Sequence, residues 1–153
     1  QGCFKCNESR GERAIRLFFE DNNIDYVYQY KVLYGELFKQ RYFLDFYLPD
    51  FKFGLEYNGK QHYQPMSFGS KKDNADINNL IDNIKRDCGK KRACRKHKIK
   101  LFVIPFWEFR RIPILLTKLV FHNTMPRIKL PPDDIRPWIK RIKQYNSSGV
   151  LAI

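Results

Sequence analysis

The sequence predicts a mixed α/β (α+β) domain, a central mixed sheet flanked by helices, and three observations carry that prediction. The segments Phe43–Leu48 and Phe53–Tyr57 alternate at the two-residue period of a strand. Ile77, Leu80, Ile81, Ile84 and Cys88 recur on one face at helical spacing. Ile99–Ile104 is a short apolar strand ended by Pro105. The resulting order is helix, three strands, helix, strand, helix, which suits one sheet covered by helices.

Each element has a local cause. Ser9-Arg10-Gly11-Glu12 has the form of a capping box, with Ile15, Phe18 and Phe19 behind it, so a first helix is expected over about residues 10–22. Tyr26–Val32 reads as a strand and Tyr34–Gln40 as a turn or loop. A hairpin is expected over about residues 42–58, turning at Pro49-Asp50-Phe51-Lys52 and stopping at Asn58-Gly59. A two-residue loop at Asp50-Phe51 pairs Leu48 with Phe53, Phe46 with Leu55 and Leu44 with Tyr57 on one apolar face. Gln64–Asp76 reads as a mobile loop, and the second helix as about residues 76–97 with Gly89 weakening it. Pro113 suits the first turn of a third helix reaching about Phe121. Beyond Pro126, Pro131 and Pro132, the residues Ile135, Trp138, Ile139 and Ile142 make a small amphipathic helix over Asp134–Tyr145, followed by a tail. There is no internal repeat.

A chain of 153 residues is long enough for one domain with a real core. The expected division is a Cys-rich remnant at 1–8, the main domain at 9–122, and a Pro-containing linker with a short basic helix and tail at 123–153. No apolar run approaches the roughly 20 residues of a membrane span, and no signal peptide opens the chain. The expected setting is therefore intracellular, cytoplasmic or nucleoid/nuclear, with no membrane partner. Gln1 in place of Met suggests a fragment or a processed product.

The formal charge of +13 favours a polyanionic partner, of which nucleic acid is the commonest. Plain solubility is the bland alternative, yet Lys90, Lys91, Arg92, Arg95 and Lys96 crowd one segment as a phosphate-binding face would. Lys60 and Gln61 are further candidates for phosphate contact. Cys3 and Cys6 form half of a zinc-knuckle pattern and need about two more ligands from outside this chain. Cys88 and Cys94 are badly spaced for zinc on a helix, and the four cysteines together suit a reducing compartment rather than a disulfide framework.

The hairpin register also sets Asp45 opposite Glu56 on its second face, close in sequence to His62. Like charges facing each other across strands are destabilising unless a cation sits between them. Two carboxylates beside a histidine suit a hard ion such as Mg²⁺, with Mn²⁺ as the alternative. Asp45 is the best ligand because a mid-strand Asp has poor β-propensity, and Glu56 is the second. His62 has the chemistry of a general base. Glu12 shares a helix face with Ile15 and Phe19, although a capping role explains it equally well. Asp87 shares a face with Leu80 and Ile84, an awkward place for a free charge; pairing with Lys91 is its bland reading, and Asp82 the substitute if the register shifts.

The order αβββαβ, the Gly11-Glu12-Arg13 helix start, the Asp45-Phe46 pair, the segment Glu56-Tyr57-Asn58-Gly59-Lys60-Gln61-His62 and Arg86-Asp87 together resemble the PD-(D/E)XK nuclease superfamily. More narrowly, residues 9–121 resemble the branch of very-short-patch-repair (Vsr-like) endonucleases and EDxHD homing endonucleases. The resemblance implies a restriction-endonuclease-like αβββαβ core, a Mg²⁺-dependent endonuclease acting on double-stranded DNA as monomer or homodimer, and catalytic roles for Glu12, Asp45, His62 and Asp87. It implies metal binding at Asp45, while Glu56 falls on the family's variable position. Asn58 stands where most of the superfamily carries Lys, which shifts proton chemistry onto His62. Such nucleases often follow a Cys-rich zinc module, which would place the missing partners of Cys3 and Cys6 before Gln1. Two other classes stay open: a decayed nuclease fold acting as a DNA-binding module, and an RNA-binding or zinc-stabilised protein using Tyr26, Tyr28 and Tyr30 as stacking platforms.

Overall fold

The computed structural model of the chain describes residues 8–34, 40–66 and 73–148. The elements are α1 (Arg10–Asp21), β1 (Val27–Tyr34), β2 (Gln40–Leu48), β3 (Phe53–Asn58), α2 (Asp73–Lys96), β4 (Lys100–Pro105), α3 (Ile112–Val120) and α4 (Arg136–Ser148). The strands form one four-stranded sheet in the order β1-β2-β3-β4. β1–β2 and β2–β3 pair antiparallel, and α2 carries the crossover that lets β4 pair parallel with β3. The mixed α/β class is as the sequence predicts. The expected loop at Tyr34–Gln40 falls largely on 35–39, and Cys3 and Cys6 on 1–7, outside the described residues.

Helices cover both faces. On one, Ile15 and Phe19 of α1 and Ile112, Leu115, Leu116 and Leu119 of α3 pack against Phe46, Leu48, Phe53 and Leu55. On the other, Ala93 and Cys94 of α2 pack against Val32 and Leu44. Leu80 and Ile84 of α2 collect Trp138, Ile142 and Tyr145 of α4 into a third cluster. Ser9 caps α1, its hydroxyl accepting from the Glu12 N–H at 3.2 Å.

Leu44 corrects the expected hairpin. Pairing is as expected at Leu48–Phe53 and Phe46–Leu55, but Leu44 does not lie with Phe46 and Tyr57 on one face. β1 pairs Tyr28 with Phe46 and Tyr30 with Leu44, and skips Gln29–Asp45 between them. Gln29 takes a left-handed φ of 52°. Both strands change face at that step. Tyr28 lies against Phe46 at 5.4 Å between rings, whereas Tyr30 stacks on Tyr47 at 4.1 Å on the α2 side. The turn is also wider than two residues, a 3-10 turn at Pro49–Phe51 closed by Lys52 at φ 49°. Pro49 has no N–H to give a ladder, so the strands open one pair early.

α2 starts at Asp73, three residues before the expected start, since Asp and Asn suit a helix's first turn as well as a loop; residues 67–72 of the loop expected at Gln64–Asp76 lie outside the described residues. Gly89 is explained by contact, because a Cβ there would stand 2.1 Å from the Tyr42 hydroxyl oxygen. α4 continues to Ser148, taking in residues expected as tail. Phe106–Arg111 forms a 3-10 segment that the sequence does not announce. Within it Glu108 is fully buried, accepts from Arg111 at 2.9 and 2.7 Å, and also accepts the Lys129 N–H. The Trp107 indole donates to the Lys129 carbonyl at 3.2 Å. These bonds pin the linker, from which fully buried Ile135 and α4 turn back over α2.

Gly11 marks where α1 approaches the sheet most closely, since a Cβ there would lie 2.2 Å from the Tyr57 ring. The rigid body of the ring stands in the way, so relief requires the helix to move. Gly11→Ala is expected to lower stability by about 1–3 kcal/mol, the usual range for overpacking, as read by urea unfolding. An unchanged midpoint would mean that α1 is free to shift.

Candidate functional site

The site begins where the β2–β3 ladder ends. Beyond Phe46–Leu55 the backbone N–H groups are taken by side chains instead of by the facing strand. The Asp45 N–H donates to Glu56 Oε1 at 3.1 Å, and the Tyr57 N–H donates to Asp45 Oδ2 at 2.8 Å. Each carboxylate therefore fills a slot in the seam, which fixes both rotamers and holds the two acids together. Glu56 is only 4 % exposed. Its Oε2 lies 2.6 Å from the Lys90 ammonium, which reaches in from α2.

Burial pushes the Asp45 carboxyl up to about 7, and the neighbouring charges of Glu56 and Glu12 add to the rise. The Tyr57 N–H and Lys90 oppose it without cancelling it. Burial likewise raises Glu56, against the pull of Lys90. The seam stays short of positive charge even with Lys90 in place.

A 3-10 turn at Lys60–His62 follows β3, closed by the His62 N–H on the Gly59 carbonyl at 3.1 Å. Asn83 of α2 holds this turn through the Gln61 carbonyl at 3.1 Å. His62 Nδ1 then meets Asp87 Oδ2 at 3.0 Å, while the Asn58 amide donates to the same oxygen at 3.4 Å. A carboxylate oxygen only accepts, so in the neutral imidazole Nδ1 carries the proton and Nε2 keeps its lone pair. Asp87 thus orients His62 rather than pairing with Lys91.

Glu56, Asn58, His62, Asp87 and Lys90 line one cavity of about 360 Å³, walled by Tyr63 and Trp107 and closed on its far side by α4. Asp45 and Glu12 are not in its lining. Asp45 acts through the seam, and Glu12 accepts from the Tyr28 hydroxyl at 2.8 Å and from Ser9 at 2.7 Å. Of the two roles weighed for Glu12, these contacts show the one at the start of α1. Lys60 pairs with Asp134 at 3.7 Å on the surface. Lys91, Arg92, Arg95 and Lys96 are exposed along α2. Lys90 alone of that run turns inward. The sequence does not single it out, because Lys90 and Lys91 lie three and four residues after Asp87 and both share its helix face. Tyr63, Trp107 and the α4 side of the cavity carry no signal either. Tyr26 and Tyr28 pack on Phe46, so they are part of the core rather than open stacking surfaces.

No protein-family model matches the chain, and no solved structure matches it. The chain is 38% identical over 63 residues to uncharacterized protein 094L of Frog virus 3 (isolate Goorha). That match covers 41% of this chain and 39% of the viral protein's length.

The strained pair makes a prediction about stability and pH. Asp45 is raised in the folded state, so its stabilising contribution is full at low pH and lost as pH rises from about 4 through about 7. The shift corresponds to about 4 kcal/mol. Asp45→Asn, neutral at every pH and still able to accept from the Tyr57 N–H, is expected to be more stable than the parent at pH 8 and equal to it near pH 4. Urea unfolding across that range checks it; a difference that does not change with pH contradicts the assignment.

Proposed function

We propose that this protein is a metal-dependent DNA endonuclease with a restriction-endonuclease-like core. The observation that carries the reading is the pair of carboxylates, half-buried Asp45 and buried Glu56, locked in a sheet seam beside the His62–Asp87 pair in a chain of net charge +13. Support comes also from the element order α1-β1-β2-β3-α2-β4, the order that the PD-(D/E)XK resemblance implies. Among the described residues no three His, Cys, Asp or Glu side chains stand together as a complete metal cage, and no helix is long and apolar enough to cross a membrane.

The donors fit Mg²⁺ or Mn²⁺. Mg²⁺ characteristically uses one or two protein carboxylates and leaves its other positions to water and substrate phosphate. Asp45 and Glu56 supply hard oxygen ligands, and both are raised by burial that one lysine does not offset. An ion held by Asp45 and Glu56 would supply Lewis-acid polarisation to a scissile phosphate. His62 takes a proton from the attacking water at Nε2, and Asp87 holds the ring in the required tautomer and stabilises the imidazolium. Asn58, placed where the resembled family carries Lys, keeps Asp87 in position. Glu12 adds negative charge behind Asp45. Lys91, Arg92, Arg95, Lys96, Lys60 and Gln61 hold the backbone of double-stranded DNA, so binding weakens steeply with salt.

A second reading, a DNA-binding module whose chemistry has decayed, is favoured by one observation: the Lys90 ammonium already occupies Glu56 Oε2 at 2.6 Å. Supercoiled plasmid incubated with Mg²⁺ separates the two. Nicked or linear product that EDTA or Asp45→Ala abolishes supports the nuclease; a salt-sensitive gel shift without cleavage supports the module. In single-turnover cleavage, His62→Ala and Asp87→Asn are each expected to slow the reaction by roughly 10²–10⁴-fold. The double variant is expected to be no slower than the worse single one, because the pair acts as a unit. Cleavage unaffected by Asp45→Ala sinks the mechanism.

A further inference from the structure

A second cleft, about 390 Å³, lies between α2, the β1–β2 end of the sheet and the last turn of α4. Its chemistry differs from that of the catalytic cavity. Tyr34, Tyr42 and Tyr145 supply aromatic surface, and Lys85 and Arg92 supply positive charge, with no carboxylate in the lining. Both cations are exposed, and neither makes an ion pair among the described residues. Gly89, which lacks the Cβ that Tyr42 would strike, forms part of the floor. The Lys96 ammonium stands 5.7 Å from the Tyr34 ring centre and adds cationic character beside the opening. The amides of Gln40 and Asn146 complete the lining with groups that both donate and accept.

Flat apolar rings, free cations and amide groups without an acid suit a planar, hydrogen-bonding ring that carries an anion. That is the description of a nucleotide. The volume lies in the range of small-ligand sites. A base inside a stacked duplex has both faces covered and offers none to a tyrosine, whereas an unpaired base does. The cleft also adjoins the candidate catalytic cavity. Ile84, Cys88 and Asn146 border both spaces, and the Cys88 thiol meets the Asn146 side-chain oxygen at 3.4 Å between them.

We propose that this cleft binds one unpaired nucleotide of a DNA strand, its phosphate on Lys85 and Arg92 and its base against the tyrosine rings. The protein then engages DNA best where a single-stranded arm leaves a duplex. The proposal deepens the nuclease reading by naming the substrate's form, and rests on that reading only in relating the nucleotide to a scissile bond.

Fluorescence anisotropy in EDTA, where no metal-dependent cleavage occurs, tests it without depending on catalysis. The probes are a labelled blunt duplex and the same duplex with a short single-stranded arm, at one fixed salt concentration. The parent protein is expected to bind the armed probe roughly tenfold more tightly, the scale of one base stacking on an aromatic ring. Arg92→Glu is expected to erase that preference. Lys140→Glu, the same charge change on exposed α4 outside the cleft, is expected to weaken both probes alike and keep the preference. Equal binding of the two probes by the parent overturns the proposal, as does an equal loss on both probes with Arg92→Glu. A preserved preference in a protein that cleaves no DNA removes the nuclease reading and leaves the nucleotide cleft standing.

Discussion

Two acids sharing one seam of the sheet is the constraint on which the rest of this molecule depends. Antiparallel strands ordinarily satisfy their N–H groups with each other's carbonyls. Between β2 and β3 this ladder is given up after Phe46–Leu55, and Asp45 and Glu56 accept the backbone N–H groups with their own side chains. The exchange keeps the backbone donors satisfied and places Glu56 in the interior with Asp45 half-buried beside it, where water screens their repulsion poorly. Repulsion between them is offset in part by Lys90, which gives α2 an electrostatic reason to lie across this part of the sheet. A surface ion pair of the same kind contributes little. Here both partners are largely buried, so removing either one leaves the other uncompensated, a much costlier condition.

The seam also shapes the core. With Asp45 out of the β1–β2 register and Gln29 in a left-handed conformation, the strands change face at a single step. Residues on one side of that step pack under α1 and α3, and those on the other side pack under α2. The apolar core is thereby divided at the level of the carboxylates. Glu56 opens toward the α2 side, where β3 ends and the Lys60–His62 turn brings His62 onto Asp87. One local departure from regular pairing thus sets the position of the acids, the division of the core and the side on which the cavity forms.

How much of this was legible in the sequence follows from the range of each interaction. Periodicity within one segment reports a local preference, so α1, the hairpin strands, the helical face of α2 and the Pro113 start of α3 were readable. The proximity of Asp45 to Glu56 was readable too, because two pairs of the hairpin register fix it. The face change was not. It depends on side chains replacing backbone partners, and alternation alone predicts that Leu44 continues the face of Phe46. Lys90 looked like one more surface cation in a basic run, because charge composition does not say which lysine is turned inward. Glu108 was silent for a similar reason: its partners, Arg111 and the Lys129 N–H, include one that only the folded linker brings near. The placement of α4 follows from that linker, so the far wall of the cavity was illegible as well.

The raised carboxylates weaken the fold at this seam, and the rest of the structure shows how the cost is met. A carboxyl held near 7 is only partly ionised at neutral pH, and ionising it costs stability of the folded state. Hydration relieves it only in part, since Asp45 is half-buried between the fully buried Leu44 and Phe46. The surroundings also resist it through packing, with α1 pressed on Tyr57 at Gly11 and aromatic rings around Phe46 at separations near those of favourable edge contacts. A site evolved only for stability would replace the two acids with apolar residues of similar size, often a neutral or favourable change. Retaining them beside an oriented histidine makes sense if an incoming cation and an anionic substrate complete the charge balance. A cation bound at the seam would therefore stabilise the fold as well as the site, coupling binding there to folding.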